Sequence, residues 1–318
     1  MTTQPARLQA RAPGTPRASR LAVLALVAAC LLGGCSVRNM AANSIGDALA
    51  SSGSGFGSDN DPDLIGAAAP FSLKLMESVL SETPQHRGLL LAATQGFVQY
   101  SYAFVEMQAD EIEDTNLQEA YRQRDRARRL YLRARNYGLR ALEAAYPGID
   151  KALRKDPAAA LSGTRAEDVP VLYWTGVAWA AAISQSKDDP FLVSELPIAE
   201  ALVRRAFTLD EAYDHGAIHV FLMSFEMSQA GLSAGAAARA RRHFERALEL
   251  TGGKQAGPYV TYAESISIAE RDRGEFEAQL RLALQVDADA VPEWRLANRV
   301  MQRRARWLQS RTNRLFAE

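Results

Sequence analysis

The chain has 318 residues, of which 47% are hydrophobic, and its 37 basic and 37 acidic side chains give a formal net charge of zero. This composition supports a large buried core and argues against intrinsic disorder. It lacks the excess of Lys and Arg that nucleic-acid binding requires, so that function class is disfavoured.

The N-terminal region has the three-part pattern of an export signal. Residues 1–20 hold four arginines and no acidic residue, residues 21–32 are apolar, and Gly33-Gly34-Cys35 follows. The apolar run is shorter than the roughly 20 residues that cross a bilayer. Leu32-Gly33-Gly34-Cys35 matches the lipobox of bacterial lipoproteins, in which the chain is cut before an acylated cysteine. The alternative is an ordinary signal peptide with an incidental cysteine.

Cleavage before Cys35 also removes Cys30, so the mature chain has one cysteine, which is consumed by lipid. A disulfide, a catalytic thiol and a cysteine metal site are then excluded. Loss of residues 1–34 leaves 33 basic and 37 acidic side chains, a net charge of −4. Because Ser36 follows the cysteine, we expect an anchor in the inner leaflet of the outer membrane and a chain that faces the periplasm.

Residues 36–61 are rich in Ser, Gly, Ala and Asn, a composition typical of a flexible segment. About 25 such residues reach roughly 25–30 Å. We therefore divide the chain into a signal peptide (1–34), a lipidated flexible tether (35–61) and one helical domain (62–318).

From Asp63 onward, apolar residues recur at helical spacing and strand alternation is almost absent. Pro and Gly separate the helical segments, and Asp189 before Pro190 and Asp168 near Pro170 favour helix starts. The sequence predicts an all-α fold.

A weak internal repeat refines this prediction. A stripe of Ala and larger apolar residues ends at Leu209, recurs 41 residues later ending at Leu250, and recurs 36 residues after that ending at Val286. A polar turn follows each copy. A period near 34 is typical of tetratricopeptide repeats, so we predict an α-solenoid of degenerate tetratricopeptide-like helix pairs. The alternative is generic helix-bundle periodicity.

Many short motifs are shared with one known family. They include Asp61-Pro62-Asp63-Leu64, Tyr100-Ser101-Tyr102-Ala103-Phe104, Leu172-Tyr173-Trp174, Ser186-Lys187-Asp188-Asp189-Pro190 and Glu293-Trp294-Arg295-Leu296-Ala297-Asn298. The set resembles the T-component (TatT) lipoproteins of tripartite ATP-independent periplasmic (TRAP) transporters, over about residues 59–317. One departure is Ser58-Asp59-Asn60, where the family pattern has a tyrosine.

The resemblance implies tetratricopeptide-like helix pairs assembled as a homotrimer. It also implies partnership with the periplasmic solute-binding protein of the transporter, to which a channel would pass an apolar or carboxylate-bearing ligand. The alternative function is a tetratricopeptide-like protein–protein scaffold for assembly of the cell envelope.

Two aromatic segments are candidates for the lining of such a channel. Residues 169–183 are apolar on every side and contain Tyr173, Trp174 and Trp179, while residues 96–107 contain Tyr100, Tyr102 and Phe104. A helix that is apolar all round is buried in a core or at an interface. Core packing alone is therefore the alternative for both segments.

Two charged runs follow one another, an acidic one at residues 106–114 and an arginine-rich one at residues 122–135. We expect facing charges on two helices around a turn; the alternative is a docking patch for a partner protein. The arginines of residues 295–314 repeat this pattern, and for several of them contact with lipid headgroups is a hypothesis.

No catalytic motif is evident. His215 and His219 are one helical turn apart, a spacing that suits a metal ion, but the intervening residues lack the glutamate of a zinc protease and no further His or Cys cluster is nearby. Nucleotide-binding loops and catalytic triads are also missing. We expect a non-enzyme without metal or cofactor.

Overall fold

The computed structural model describes residues 43–51, 56–229, 231 and 234–317, and its regular structure in these ranges is entirely helical. The all-α prediction is therefore confirmed. From residue 62 the helices are α1 (Pro62–Glu82), α2 (Arg87–Ser101), α3 (Met107–Ile112), α4 (Leu117–Ala145), α5 (Ile149–Lys155), α6 (Pro157–Leu161), α7 (Val169–Ser184) and α8 (Pro190–Val193). They continue with α9 (Leu196–Leu209), α10 (Tyr213–Ser228), α11 (Ala236–Thr251), α12 (Ala256–Tyr262), α13 (Arg273–Gln285), α14 (Arg295–Ser310) and α15 (Thr312–Leu315).

Aspartate followed by proline begins three of these helices. The carboxylates of Asp61, Asp156 and Asp189 accept hydrogen bonds from N–H groups in the first turns of α1, α6 and α8. Proline suits the next position because it has no N–H to leave unsatisfied there. The predicted helix start at Pro190 is thus explained by its cap. Asp168 instead ends a short 3₁₀ turn, Ala166–Asp168, directly before α7.

Successive long helices pack side by side. α2 contacts α1 and α4, α4 contacts α7, α7 contacts α9, α10 contacts α11, and α12 contacts α13. Small residues permit the close approach: Gly138 of α4 faces Thr175 of α7, and Gly176 of α7 faces Val203 of α9. This succession of neighbouring helices is compatible with tetratricopeptide-like pairs, an assignment that stays a prediction.

The repeated apolar stripe faces the interior in each copy. It contributes the buried residues Ala199, Val203 and Ala206 in α9, Ala240 and Ala247 in α11, and Phe276, Leu280 and Ala283 in α13. One large core extends from α1 to α10, and a second surrounds α12, α13 and α14. The periodicity read from the sequence therefore marks the core-facing positions.

Part of the predicted tether is helical. Residues 43–51 form a short helix, and the carboxylate of Asp47 lies 3.2 Å from the imidazole of His86. His86 also caps α2, because its Nδ1 accepts a hydrogen bond from the N–H of Leu89. Cys35 and the predicted signal peptide (1–34) lie outside the described residues.

Among the described helices, α1 alone is long and apolar enough to cross a membrane by length and composition. It packs on the core through Ile65, Leu73 and Leu80, while the side chains of Leu64 and Phe71 are exposed. Helices that pack on a protein core pass the same test, so composition alone assigns no membrane span.

The substitution Gly138→Ala should destabilise the chain. An added Cβ would lie 2.1 Å from Oγ1 and 2.9 Å from Cβ of Thr175, which is fully buried and donates a hydrogen bond to the carbonyl of Val171. Overpacking of this kind costs about 1–3 kcal/mol. It offsets the gain of about 1 kcal/mol that alanine brings to a helix. We expect a lower free energy of unfolding in chemical denaturation.

Gly257→Ala is the matched control, because an added Cβ in α12 would meet nothing within 4 Å. Its free energy of unfolding should stay equal or rise. Equal losses in the two variants would contradict the close contact of α4 with α7.

Candidate functional site

Four aromatic side chains meet where α7 packs on α10, and we call Tyr173, Trp174, Tyr213 and Phe221 the aromatic level. The ring of Tyr173 lies 5.2 Å from Trp174, 5.7 Å from Tyr213 and 6.5 Å from Phe221, all edge-on. The Tyr173 hydroxyl donates to the carbonyl of Ala217 at 3.1 Å, and Trp174 Nε1 donates to the Tyr213 hydroxyl at 3.3 Å. With these polar atoms satisfied, the level presents mainly ring surface.

The start of α10 is a left-handed turn that extends the aromatic level. Asp214, His215 and Gly216 have φ angles of 46°, 54° and 92°. Such angles cost non-glycine residues roughly 1–3 kcal/mol each and persist only where packing holds them. The turn places the His215 ring 4.9 Å from the indole of Trp294, just before α14. The start of α14 is thereby joined to the aromatic level.

A second cluster, which we call the polar level, surrounds the carboxyl group of Glu106. Its members are Tyr102, Glu106, Gln185, Glu264 and Arg304. Glu106 Oε1 accepts a hydrogen bond from Gln185 Nε2 at 2.8 Å, and Oε2 accepts one from the hydroxyl of Tyr131. Glu106 therefore links α4 to the turn that follows α7.

Arg304 of α14 holds the other half of the polar level. Its Nε donates to Glu264 Oε1 at 2.9 Å, and its Nη1 lies 2.9 Å from Asp110 Oδ2. Asp110 is in turn bound by Arg124 of α4 at 2.9 Å. One guanidinium thus bridges helices that are far apart in the sequence.

Both acidic members of the polar level lie in irregular helical turns. Tyr102–Glu106 and Ala263–Ser267 are π-helical turns inserted after α2 and after α12. Such turns add a residue to the helix and are frequent at functional sites. Here they carry Glu106 and Glu264.

Burial is the largest cause of the raised pKa values in the polar level. It is the largest cause that raises the pKa of Glu106 to about 7, although the hydrogen bond from Tyr131 acts against it. Burial also raises the pKa of Glu264 in spite of the adjacent Arg304, and it raises the pKa of the Tyr102 phenol. Glu106 therefore exchanges its proton near neutral pH.

Three segments contribute to both levels. The segment of α2 and its π turn supplies Gln95, which hydrogen-bonds Tyr213 of the aromatic level, and Glu106 of the polar level. The segment of α7 and its end supplies Trp174 to the aromatic level and Gln185 to the polar level. The α14 region supplies Trp294, which is joined to the aromatic level through His215, and Arg304 of the polar level. Each pair is separated by 10 or 11 positions. At 1.5 Å per residue the two levels are about 15–17 Å apart. The same three segments thus carry an aromatic cluster and a polar cluster, and the distance between the two clusters is comparable with the length of an elongated small molecule.

Charge pairs join the two ends of the helical array, and we call these pairs the charge seam. Arg303 of α14 lies 2.9 Å from Glu111 of α3, while Arg311 and Arg314 both pair with Asp114. The seam links residues that are 192 to 200 positions apart in the chain. Arg303, Arg311 and Arg314 are therefore engaged within the chain, and the acidic run pairs with them as well as with α4.

The structure places the six predicted lining residues in different surroundings. Tyr173 and Trp174 belong to the aromatic level, and Tyr102 belongs to the polar level. Tyr100 and Phe104 stack on each other at 5.9 Å. Phe104 packs against the backbone of α1, and Tyr100 accepts a hydrogen bond from an arginine of α4.

Trp179 has a different role from Trp174. It is fully buried, and its Nε1 donates to Glu195 at 2.9 Å. The guanidinium groups of Arg135 and Arg154 lie 5.0 and 5.6 Å from its ring centroid. Trp179 thus joins α7 to α4, α5 and the start of α9. That any of the six residues lines a ligand channel stays a prediction.

Sequence reasoning missed several members of the two levels. Glu264 carried a usable signal, because it is the one charged residue between positions 255 and 269. Glu106 and Arg304 were hidden inside longer runs of like charge. Gln185 and Tyr213 carry no such signal and join the levels only through tertiary contacts.

The histidine pair is also rearranged. The left-handed turn carries His215 to Trp294, whereas His219 is buried and its Nδ1 lies 2.9 Å from Nδ1 of His243. His219 Nε2 contacts Glu211 at 2.8 Å. Burial lowers the pKa of His219 and lowers that of His243 to about 4, so the pair is neutral near pH 7. In the ranges described, no three His, Cys, Asp or Glu side chains are grouped for a metal ion.

Comparison with known proteins gives two matches. A sequence model described as "TRAP transporter T-component" matches residues 58–316. A protein of Treponema pallidum (strain Nichols), described as uncharacterized, is 31% identical over 92% of this chain and 96% of its own length. Both levels and the charge seam lie inside the matched region.

The substitution Glu106→Gln should flatten the pH dependence of stability. The pKa of this carboxyl is raised in the folded chain from 4.5 to about 7. Its contribution to stability is therefore fully present below about pH 4.5 and is lost as the pH rises through about 7. Between these values the wild type should lose stability relative to Glu106→Gln. Denaturation midpoints measured across this range test the difference.

Glu245→Gln, on the exposed face of α11, changes the same group without touching the polar level. Its curve should follow the wild type. If Glu106→Gln also follows the wild type, the carboxyl of Glu106 is not held in the buried setting described.

Proposed function

We propose that this chain, which belongs to the TRAP transporter T-component family, is a periplasm-facing accessory subunit of a tripartite ATP-independent periplasmic transporter that binds or channels a small ligand. The family is one of transport accessories rather than of enzymes, so the accessory role rests on the match over residues 58–316. The ligand, the docking of a solute-binding protein and the membrane anchor are our proposal.

The two levels support a small apolar or organic-acid ligand. The apolar body would pack on the rings of Trp174 and Tyr213, since burial of aromatic surface is the main favourable term in such sites. The polar end would meet the donors of the polar level, Arg304 and Gln185. Because its raised pKa of about 7 leaves part of the Glu106 carboxyl protonated near neutral pH, this level accommodates a carboxyl group with less repulsion.

The charge seam favours this function over a protein scaffold. A scaffold of tetratricopeptide-like helices holds its partner in an open concave groove. In this chain α14 bonds to α1 and α3 through Arg303, which joins the two ends of the array. A small ligand between the two levels suits such a closed arrangement better than a long peptide does.

The substitution Trp174→Phe should remove most of the change in tryptophan fluorescence that a bound fatty acid produces. Trp174 is part of the aromatic level, so its indole would sense the ligand directly. The measurement is a titration of the full chain with palmitate and with a short dicarboxylic acid.

Trp179→Phe is the matched control, because Trp179 is on the same helix but packs against Glu195, Arg135 and Arg154. It should keep the wild-type response. No response of the wild type at saturating ligand would refute the ligand site, and equal responses of the two variants would displace it from the aromatic level.

The substitution Cys35→Ala, made in a chain whose residues 1–34 are replaced by an ordinary cleavable export signal, should release the chain from the membrane fraction, because acylation of that sulfur supplies the proposed anchor. We expect that the variant no longer incorporates labelled palmitate and that the protein is recovered in the periplasmic extract. Retention of Cys35→Ala in the membrane would contradict the lipid anchor.

Native mass spectrometry of the released protein should give the mass of three chains, since we propose a homotrimer. The mass of a single chain would contradict the trimer.

A further inference from the structure

Five arginines form a line along the outer face of α4. We call Arg122, Arg126, Arg129, Arg133 and Arg140 the arginine ridge. Steps of three, four or seven residues place them on one face of the helix. All five are exposed, while Ala120, Ala127 and Ala134 on the opposite face are fully buried. The basic run of α4 is thus divided, because Arg124 turns away from the ridge to pair with Asp110 and Glu113.

Aromatic rings hold much of the ridge in place. The guanidinium groups of Arg126, Arg133 and Arg140 lie 5.7, 5.5 and 5.3 Å from the centroids of aromatic rings at the junction of α2 and α4. Cation–π contacts of this kind restrict long side chains that are otherwise mobile. A partner then loses less side-chain entropy when it binds.

The ridge has more positive than negative charge. Arg122, Arg129 and Arg133 have carboxylate partners within 4 Å. Within the described residues, Arg126 donates to the hydroxyl of a tyrosine and Arg140 to a backbone carbonyl, and neither has a carboxylate partner. The guanidinium groups of Arg126, near the N-terminal end of the ridge, and of Arg140, at its C-terminal end, therefore keep an uncompensated charge.

A groove of about 440 Å³ opens along the ridge, and it offers mainly hydrogen-bond donors. Its lining consists of Arg129, Leu132, Arg133, Asn136, Tyr137 and Arg140. Tyr137 and Leu132 provide an apolar floor between the guanidinium groups. An occupant that fits must bring acceptors, and a carboxylate accepts the two parallel N–H groups of a guanidinium.

We propose that the arginine ridge docks an acidic surface of a partner protein. This inference rests on the proposed function, in which the partner is the solute-binding protein of the transporter. Side chains of Asp or Glu on that protein pair with Arg126 and Arg140, and the side chain that pairs with Arg140 enters the groove. Existing pairs such as Arg133 with Glu77 limit binding of other anions and set the register of the contact.

The shape of the ridge favours a protein over a membrane. It is a single row that covers 19 positions, about 27 Å of helix, and three of its five charges are already paired. Attraction to anionic lipid grows with the number of uncompensated charges near the surface. Two uncompensated charges in a single row match a few carboxylates better than a plane of headgroups.

The test is binding of a labelled oligoglutamate peptide and of the solute-binding protein to the full-length chain and to the double variant Arg126→Glu/Arg140→Glu. We expect the variant to bind both at least about tenfold more weakly. Affinity for the peptide should also fall with rising salt, because exposed charges are screened. Circular dichroism checks that the variant is folded, and Arg126→Gln/Arg140→Gln should give an intermediate loss.

The control is Arg281→Glu/Arg306→Glu, which makes the same charge change at exposed positions of α13 and α14. It should bind the peptide and the protein like the wild type. Equal losses in the two double variants would overturn the inference, since the effect would then be one of net charge. Strong binding to vesicles of phosphatidylcholine and phosphatidylglycerol that the ridge variant loses, without peptide binding, would assign the ridge to lipid instead.

The two proposals fail separately. If the solute-binding protein binds the wild type and the ridge variant equally, the docking surface is wrong and the transporter role stands. If the peptide binds through the ridge but the solute-binding protein does not bind at all, the ridge is an acidic-protein site and the proposed function is wrong in its partner.

Discussion

The guanidinium of Arg304 is the contact on which the arrangement of the interior depends. It lies between Glu264, which follows α12, and Asp110 of α3, and Asp110 is also held by Arg124. Removing two charges from water is costly, and a buried pair recovers that cost only if its geometry and its other hydrogen bonds are good. Breaking a buried pair of this kind costs about 3–5 kcal/mol, because it leaves a buried charge without a partner. The Arg304 contact therefore selects the register in which α14 meets the N-terminal helices.

The irregular turns are understandable from the same contact. A regular helix places side chains at fixed angles around its axis, and a π turn changes the angle of the side chains that follow the turn. The two π turns carry Glu106 and Glu264, the acidic members of the polar level, and the left-handed turn at His215 carries the aromatic level to Trp294. Local backbone cost is thus concentrated where three segments must meet, and the long helices between these points remain regular.

The fold was more predictable than the site, for a physical reason. Helical periodicity and small residues at helix contacts are local properties, so the sequence predicted an all-α chain and the buried positions of Ala199, Ala240 and Ala283. The polar level joins Glu106 to Gln185 across 79 positions, and the aromatic level joins Trp174 to Tyr213 across 39. Those contacts depend on helix register, which periodicity does not specify. The facing charges predicted around the turn at residue 115 were found between Arg124 and Glu113, but the seam to α14 was not foreseen.

Arginine side chains have two different roles in this chain, internal pairing and contact with a partner, and the burial of each arginine determines its role. Arg304 has carboxylate neighbours in surroundings from which water is largely excluded, where pairing is strong and salt has little effect. Among the described residues, the exposed Arg126 and Arg140 have only a hydroxyl and a carbonyl as acceptors, so their charge is still available to a partner. Salt should therefore weaken docking at the arginine ridge well before it loosens the polar level. A subunit with this division can release a partner without disturbing the interior, where we propose that a ligand binds.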